Sequence, residues 1–588
     1  MKKCFFFSAV LTGLLLLQAC SKDPIEILTP EEMSVAGDDT LGEDILTDNT
    51  EDDITGATFD RTVQVTFSGS GATVTGVTDD FTVAIDGAGV TLTNNGTEAV
   101  VYELSGSSSD GYFKLYSTRR QEVLLDGLSL GSRNGAAINI QSHKRTFVVV
   151  RGENTLSDGE TYSRTPSDED EKAAFFSEGQ LVFSGDGTLS VQATGKAGIT
   201  SDDYVRFMGS PTIKVTSTAG HGVRGKEAII VSDGHIDVEV SGTGKKGFSS
   251  DTLVYFGGGV TTIRTTGSAG EVDGELTGVA GIKADLRFVM EDGVLTITST
   301  GTGAKGISGD NVAFFKGGTV TVTTSGANYG TSSGGFGPGG MGGRFGPGGN
   351  SSSSDNSVSS KAIKFDGNLY ISGGKISATS ARHEGIEAKG VIKVTGGEVS
   401  SWSSDDAINA GGDMSIEGGA VYAQSSGNDG LDANGNLFIS GGVVYALGTG
   451  GAELAIDANS EAQKRLYITG GTIIAVGGLE SGASIGQSCW SAGTVKSKTA
   501  YALYDDSGKA IGAFETPSVS GLTLIVSAPS LSDVLYGVSV EGGTSCFNGL
   551  FTTGATLSGG NPCTLSSYSG GSGMGGFGPG GGGFPGGW

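Results

Sequence analysis

Seven side chains carrying oxygen ligands stand at two fixed distances from a recurring apolar residue. Two residues before Ile386, Ile408 and Leu431 lie Glu384, Asp406 and Asp429; one residue after Ile386, Ile408, Leu431 and Ile456 lie Glu387, Asn409, Asp432 and Asp457. Asp405, Asn428 and Glu453 are close by. If these copies stack as strands, equivalent positions are ~4.8 Å apart. Two unit charges at that distance repel by ~0.9 kcal/mol in bulk water and by ~3.5 kcal/mol at an effective dielectric of about 20. A cation held between copies removes that cost, and hard oxygen ligands in turns suit calcium better than zinc. The predicted calcium ligands are Asp405, Asp406, Asn409, Asp429, Asp432 and Asp457, with Glu384 and Glu387 at the margin of the set. The competing reading is an acidic edge that is only solvated; the constancy of the offsets speaks against it.

The elements that must position these groups are written five times between Ala362 and about Gly477. The copies begin AIKFDGNLYISGG, GIEAKGVIKVTGG, AINAGGDMSIEGG, GLDANGNLFISGG and AIDANSEAQKRLYITGG, and their anchors Ile363, Ile386, Ile408, Leu431 and Ile456 follow at steps of 23, 22, 23 and 25 residues. Self-similarity at that period marks a solenoid. Within a copy the apolar residues alternate, as in Leu369 and Ile371 or Leu437 and Ile439, so the elements are strands and not helices. One copy is too short to bury its own apolar face; copies must stack, and strands stacked with one sense of travel make a parallel β-helix. Earlier coils are expected with anchors at Phe176, Ile199, Val223, Phe248, Ile282 and Ile307. In that half the position two before the anchor is often basic or His, as at His221, Lys246, Lys305 and later Lys361.

Sugar binding needs aromatic faces beside hydrogen-bonding groups. Tyr422 and Tyr445 share one offset on adjacent coils; Tyr370, Phe438 and Tyr467 share another, and inward neighbours on either side direct all five outward. Such residues could equally ladder against one another for sheet stability. Trp402, read as lying in the turn before Asp405-Asp406, is the best single candidate for stacking on a sugar. A lyase would need calcium to acidify C5–H of a uronate and a base to take the proton; Arg382, Lys389 and Lys393 are the nearest candidates, and each also reads as a solvated basic residue. The four histidines are scattered and offer no zinc site.

The runs GIEAKG, SSDDAINAGGDMSIEGG, GNDGLDANGNLFISGG and AIDAN resemble the bacterial family of cellulose- and pectin-binding carbohydrate-binding-domain proteins. The resemblance covers roughly Ala173 to Ser527. It implies a right-handed parallel β-helix shaped like pectate lyases, calcium among the coils and no established catalytic activity. The expected partner is therefore polysaccharide, a plant cell-wall or other acidic glycan, with an adhesin that contacts surface proteins as the alternative.

The chain opens with Lys2 and Lys3, an apolar run from Phe5 to Leu17, and Leu17-Gln18-Ala19-Cys20. That run is too short for a bilayer, which needs ~20 apolar residues, and reads as a secretory signal. The residues before Cys20 resemble a lipobox, which implies lipidation at Cys20 and an outer-membrane, surface-exposed lipoprotein. Between Ser21 and Asp60 there are 13 acidic residues and one lysine in a chain of net charge −27, a composition expected to stay disordered. The predicted organisation is a signal peptide over 1–19, an acidic tether over 20–60, a β region over 61–172, the β-helix over 173–480 with a Gly/Ser-rich insertion at 325–360, a β cap over 481–566 and a Gly-rich tail over 567–588. The acidic balance argues against nucleic acid. Among the later cysteines, Cys546–Cys563 and Cys489–Cys546 are the candidate bridges.

Overall fold

The computed structural model describes residues 50–330, 357–547 and 549–570. Cys20, the signal peptide, most of the tether, most of the Gly-rich insertion and the Gly-rich tail beyond 570 lie outside them.

Alternation of apolar residues over three to six positions produces three strands per coil. One coil contains Ile386–Ala388, Ile392–Val394 and Glu398–Ser403; the next contains Ile408–Ala410, Met414–Ile416 and Ala420–Ser425. First strands pair in parallel, Ile363 to Ile386 to Ile408 to Leu431 to Ile456. Second strands align Leu369, Ile392, Met414, Leu437 and Leu466. Third strands align Val399, Val421, Val444 and Ile473. All of these side chains are buried in one continuous core, at about 1.5–3 kcal/mol of apolar transfer each. First strands build a 15-stranded sheet, and second and third strands a 30-stranded one. The fold is a parallel β-helix.

The Gly-Gly turns between second and third strands have a steric cause. The second glycine of each, Gly374, Gly397, Gly419, Gly442 and Gly471, holds φ between +73° and +81°, a region that side chains disfavour. A Cβ at Gly419 would also lie 2.6 Å from the carbonyl oxygen of Gly397 in the coil before.

One expected anchor is displaced by a residue. Phe175, not Phe176, pairs with Ile199 and with Ile138. Phe176 faces out and is buried against Ala173 and Ala197. Two consecutive phenylalanines leave the strand's inward face undecided locally, and a slip of one residue exchanges the faces.

Asp52 and Phe59, in the stretch assigned by composition to the tether, pack onto the coils. Asp52 is buried and takes Arg145 Nε at 2.6 Å, Arg206 Nε at 2.7 Å and the Tyr204 hydroxyl at 2.7 Å. Phe59 sets its ring edge-on to Phe147. Ion pairs to distant coils thus order the end of an acidic run that lacks local structure-forming signals.

At the carboxyl end Thr472–Val476 pairs antiparallel with Thr523–Ala528, and Ala500–Asp505, Ala510–Glu515, Leu550–Pro562 and Leu531–Cys546 close a small barrel. Its apolar side chains form a second core with Tyr422, Tyr445, Ile474 and Val476 from the outer side of the last coils. Cys489 and Cys563 are free thiols, so neither bridge proposed for them forms; the Cys546 side chain lies outside the described residues.

Candidate metal and ligand sites on the outer faces of the coils

The central residue of each first strand points outward, so the 15-stranded sheet carries an external column. In coil order it reads Arg224, Ser249, Lys283, Ser308, Lys364, Glu387, Asn409, Asp432 and Asp457. The position two before the anchor forms a neighbouring row with His221, Lys246, Lys305 and Lys361 in the early coils and Glu384, Asp406 and Asp429 in the later ones. One face is therefore basic toward its amino end and acidic toward its carboxyl end.

The acidic half gathers most of the predicted ligands. Carboxylate oxygens of Asp429, Asp432 and Asp457 all lie within 4.8 Å of one another. Oxygens around one calcium at its usual ~2.3–2.6 Å are at most ~5 Å apart, so the three fit a common ion. The Asn409 amide donates to Asp406 Oδ2 and to Asp432 Oδ2, both at 2.8 Å, and the Asp429 amide donates to Asp406 Oδ1 at 3.1 Å. Burial, opposed in part by the Asn409 amide, raises Asp406 to about 6; burial raises Asp429 to about 8 against its bond from the Leu454 amide; burial and the Asp406 charge raise Asp432 to about 7. Asp457 is raised by burial and by a shared hydrogen bond with Glu480. Glu480 extends the same column, since it follows Leu479, which pairs in parallel with the anchor Ile456. Four carboxylates whose environment resists their ionisation, with an all-oxygen donor set, suit a hard divalent cation.

Glu384, Glu387 and Asp405 have protein cations of their own. Lys361 Nζ lies 3.0 Å from Glu384 and 2.6 Å from Glu387. His383 Nδ1 contacts Glu384 and lies 3.0 Å from Asp405. Burial pulls His383 down, but hydrogen bonds to Asp405 and Glu384 outweigh it and hold the imidazole at about 9. Lys361 and His383 thus mark the boundary between the two halves, a pairing that spacing within one repeat does not reveal.

The aromatic candidates separate into three groups. Tyr422 and Tyr445 do point out of the coil, but both are fully buried beneath the barrel; the Tyr445 hydroxyl donates to the Glu515 carbonyl at 3.1 Å. They are not free for sugar. Tyr370, Phe438 and Tyr467 are half-buried on the outer side of the second strands. There they stack: Phe438 on Tyr467 at 5.1 Å, and Tyr370 on Phe314 at 5.4 Å. Trp402 lies not in the turn but within the strand Glu398–Ser403, half-buried between Thr379 and Gln424 of neighbouring coils.

The three candidate bases do not converge. Arg382 is exposed, Lys389 is exposed and paired with Asp366 at 2.7 Å, and Lys393 is buried in the second-strand row with Glu417 at 3.0 Å.

Two recesses were not anticipated. Near the amino end, Tyr112, Lys114, Tyr116, Asn134, Asn139, Arg164 and Glu171 line a cavity of about 190 Å³, with the Arg164 guanidinium 4.8 Å over the Tyr112 ring. It combines aromatic faces with convergent polar groups, and its residues come from strands and a loop far apart in sequence. The second lies in the basic half, between Lys246 and Lys364.

With this geometry in hand, the chain matches the profile of the carbohydrate-binding domain-containing proteins over residues 86–407. It belongs to that family. Both recesses and the basic half of the face fall inside the matched span; Glu384, Glu387, Asp405 and Asp406 of the acidic half lie inside it and Asn409, Asp429, Asp432 and Asp457 beyond it. No curated protein matches the chain. Among solved structures, the polysaccharide lyase-like protein from C. thermocellum, as its gadolinium derivative, aligns with 19% identity and a TM-score of 0.36, covering 43% of this chain and 96% of that one.

Proposed function

We propose that the protein is a non-catalytic binder of polysaccharide, held at the cell surface by lipid on Cys20 and stiffened by calcium between its later coils. The observation that carries the reading is membership of the carbohydrate-binding family over more than half of the chain. A stack of rigid coils supplies a long regular surface suited to a polymer. Two half-buried stacks on the second-strand face, Phe314–Tyr370 and Phe438–Tyr467, with Trp402 on the adjoining face, supply aromatic surface along it. The Asp429–Asp432–Asp457 cluster, supported by Asp406 and Asn409, would hold the ion. Calcium there offsets carboxylate repulsion, and a ligand bound only by the folded state raises its stability.

The test is affinity electrophoresis of the full-length protein through cellulose derivatives, pectins and other glycans, with and without calcium, assayed alongside for unsaturated products absorbing in the ultraviolet. Retention without product is expected. Product release lost on substituting Arg382 or Lys389 would make the protein a lyase. Silence on every glycan together with capture of a protein partner would make it an adhesin.

A further inference from the structure

The basic half of the 15-stranded sheet's face contains four lysines around a floor of small residues. In the row two before the anchors, Lys246 pairs with Ala280 and Ala280 with Lys305. In the adjoining column, Lys283 pairs with Ser308 and Ser308 with Lys364. Each small residue thus lies between two lysines of its own column, and the four long side chains border a recess of about 190 Å³. The only carboxylate in its lining is Asp310.

Two of these lysines are already neutralised and two are not. Lys283 is paired with Asp285 at 3.0 Å and with Asp310, and Lys364 with Asp366 at 2.5 Å. Lys246 Nζ donates to the Gly244 carbonyl at 2.8 Å and has no carboxylate partner among the described residues. Lys305 has neither a hydrogen bond nor an ion pair among them. A solvated lysine face needs no such convergence, and a structural one would supply counter-charges, as Lys361 has in Glu384 and Glu387.

We propose that this recess is an anion subsite taking the carboxylate or sulfate group of an acidic polysaccharide, which makes the bound glycan a uronate- or sulfate-bearing one. The inference rests on the polysaccharide-binding reading and narrows its ligand. Burial, with repulsion from Lys245, Lys283 and Arg224 outweighing Asp285, lowers Lys246 to about 8; burial, with repulsion from Lys364 and Lys361 outweighing Glu387 and Asp366, lowers Lys305 to about 8. His221, whose Nδ1 accepts from the Lys246 amide at 3.0 Å, is held neutral. An anion in the recess supplies the missing counter-charge. Four coil steps beyond Lys305 stands Asp429, ~19 Å along the axis at ~4.8 Å per step. An acidic polymer lying along this face would meet the lysines directly and the carboxylates only through a divalent cation.

The experiment compares binding of polygalacturonate with its fully methyl-esterified form, and of dextran sulfate with dextran, at constant calcium and ionic strength. It uses the full-length chain, K246Q/K305Q, the charge-retaining K246R/K305R and the charge-matched control K214Q/K509Q. The wild type should prefer a charged polymer over its uncharged counterpart; K246Q/K305Q should weaken that binding about tenfold or more while the control stays within about twofold. The arginine variant should retain most of it, and the polymer preferred tells carboxylate from sulfate. Equal binding by wild type and K246Q/K305Q, or no preference for charge, overturns the subsite while leaving polysaccharide binding intact. Failure to bind any charged or uncharged polymer overturns both.

Discussion

Lys361 Nζ lies 3.0 Å from the Glu384 carboxylate, and the same amine reaches Glu387 at 2.6 Å. The contact sits where the face of the 15-stranded sheet changes sign. Burial pushes Glu384 up, but the His383 hydrogen bond and the Lys361 charge prevail and hold it below the usual carboxylate range.

Lys361→Gln should therefore destabilise the fold, because it leaves two largely buried carboxylates short of their cation. Removing one partner of a buried pair costs roughly 3–5 kcal/mol, and the exposed fraction here argues for the lower end. Urea unfolding at neutral pH measures it. The loss should shrink as the pH falls from the unfolded Glu384 value toward its depressed folded one, because protonation of that carboxyl removes the partner of Lys361.

Calcium should raise the melting temperature of the full-length protein, and chelation should lower it. At a free concentration a hundred times Kd the gain is ~2.7 kcal/mol. The double variant Asp429→Asn/Asp432→Asn should lose this response and be no less stable than the chelated wild type, since two repelling carboxylates are gone. Calorimetry with metal analysis checks both; an unchanged response would return the acidic ladder to a solvated edge.

Tyr445→Ala should cost about 3–5 kcal/mol by opening a cavity between the last coils and the barrel, yet leave glycan retention unaltered when measured below its melting point. Tyr467→Ala, in the half-buried stack with Phe438, should cost less stability and weaken retention. The contrast separates a docking aromatic from a binding one.

Without ligand, K246Q/K305Q should be more stable than the wild type at pH 7. Both lysines have folded values of about 8, against 10.5 for the ordinary side chain. Above 10.5 neither state is charged; between 10.5 and 8 only the unfolded state gains protons, so wild-type stability falls as pH decreases and then levels off. Relief on the order of 1 kcal/mol per lysine is expected after solvent screening. Thermal melts from pH 7 to 10.5 should show the difference between variant and wild type closing.

Much of this protein is written locally. A repeat of about 23 residues with period-two apolar alternation can bury its face only by stacking, so the solenoid, its interior columns and the registration of Asn409, Asp432 and Asp457 are all legible in the sequence. What tertiary structure alone decided depends on partners distant along the chain. Tyr422 and Tyr445 alternate outward like any exposed pair, but the barrel covers them, and nothing within their own repeats encodes that. Phe175 and Phe176 offer the strand two equal anchors, and pairing with Ile138 and Ile199 selects one. Asp52 belongs to a stretch too polar to fold by itself, and is ordered by Arg145 and Arg206 on coils far downstream. Lys246 and Lys305 share a basic offset that the sequence shows, but Lys283 and Lys364 belong to a different column; only a vertical spacing near 5 Å brings the four around one floor, because stacking turns equal offsets in sequence into neighbours in space.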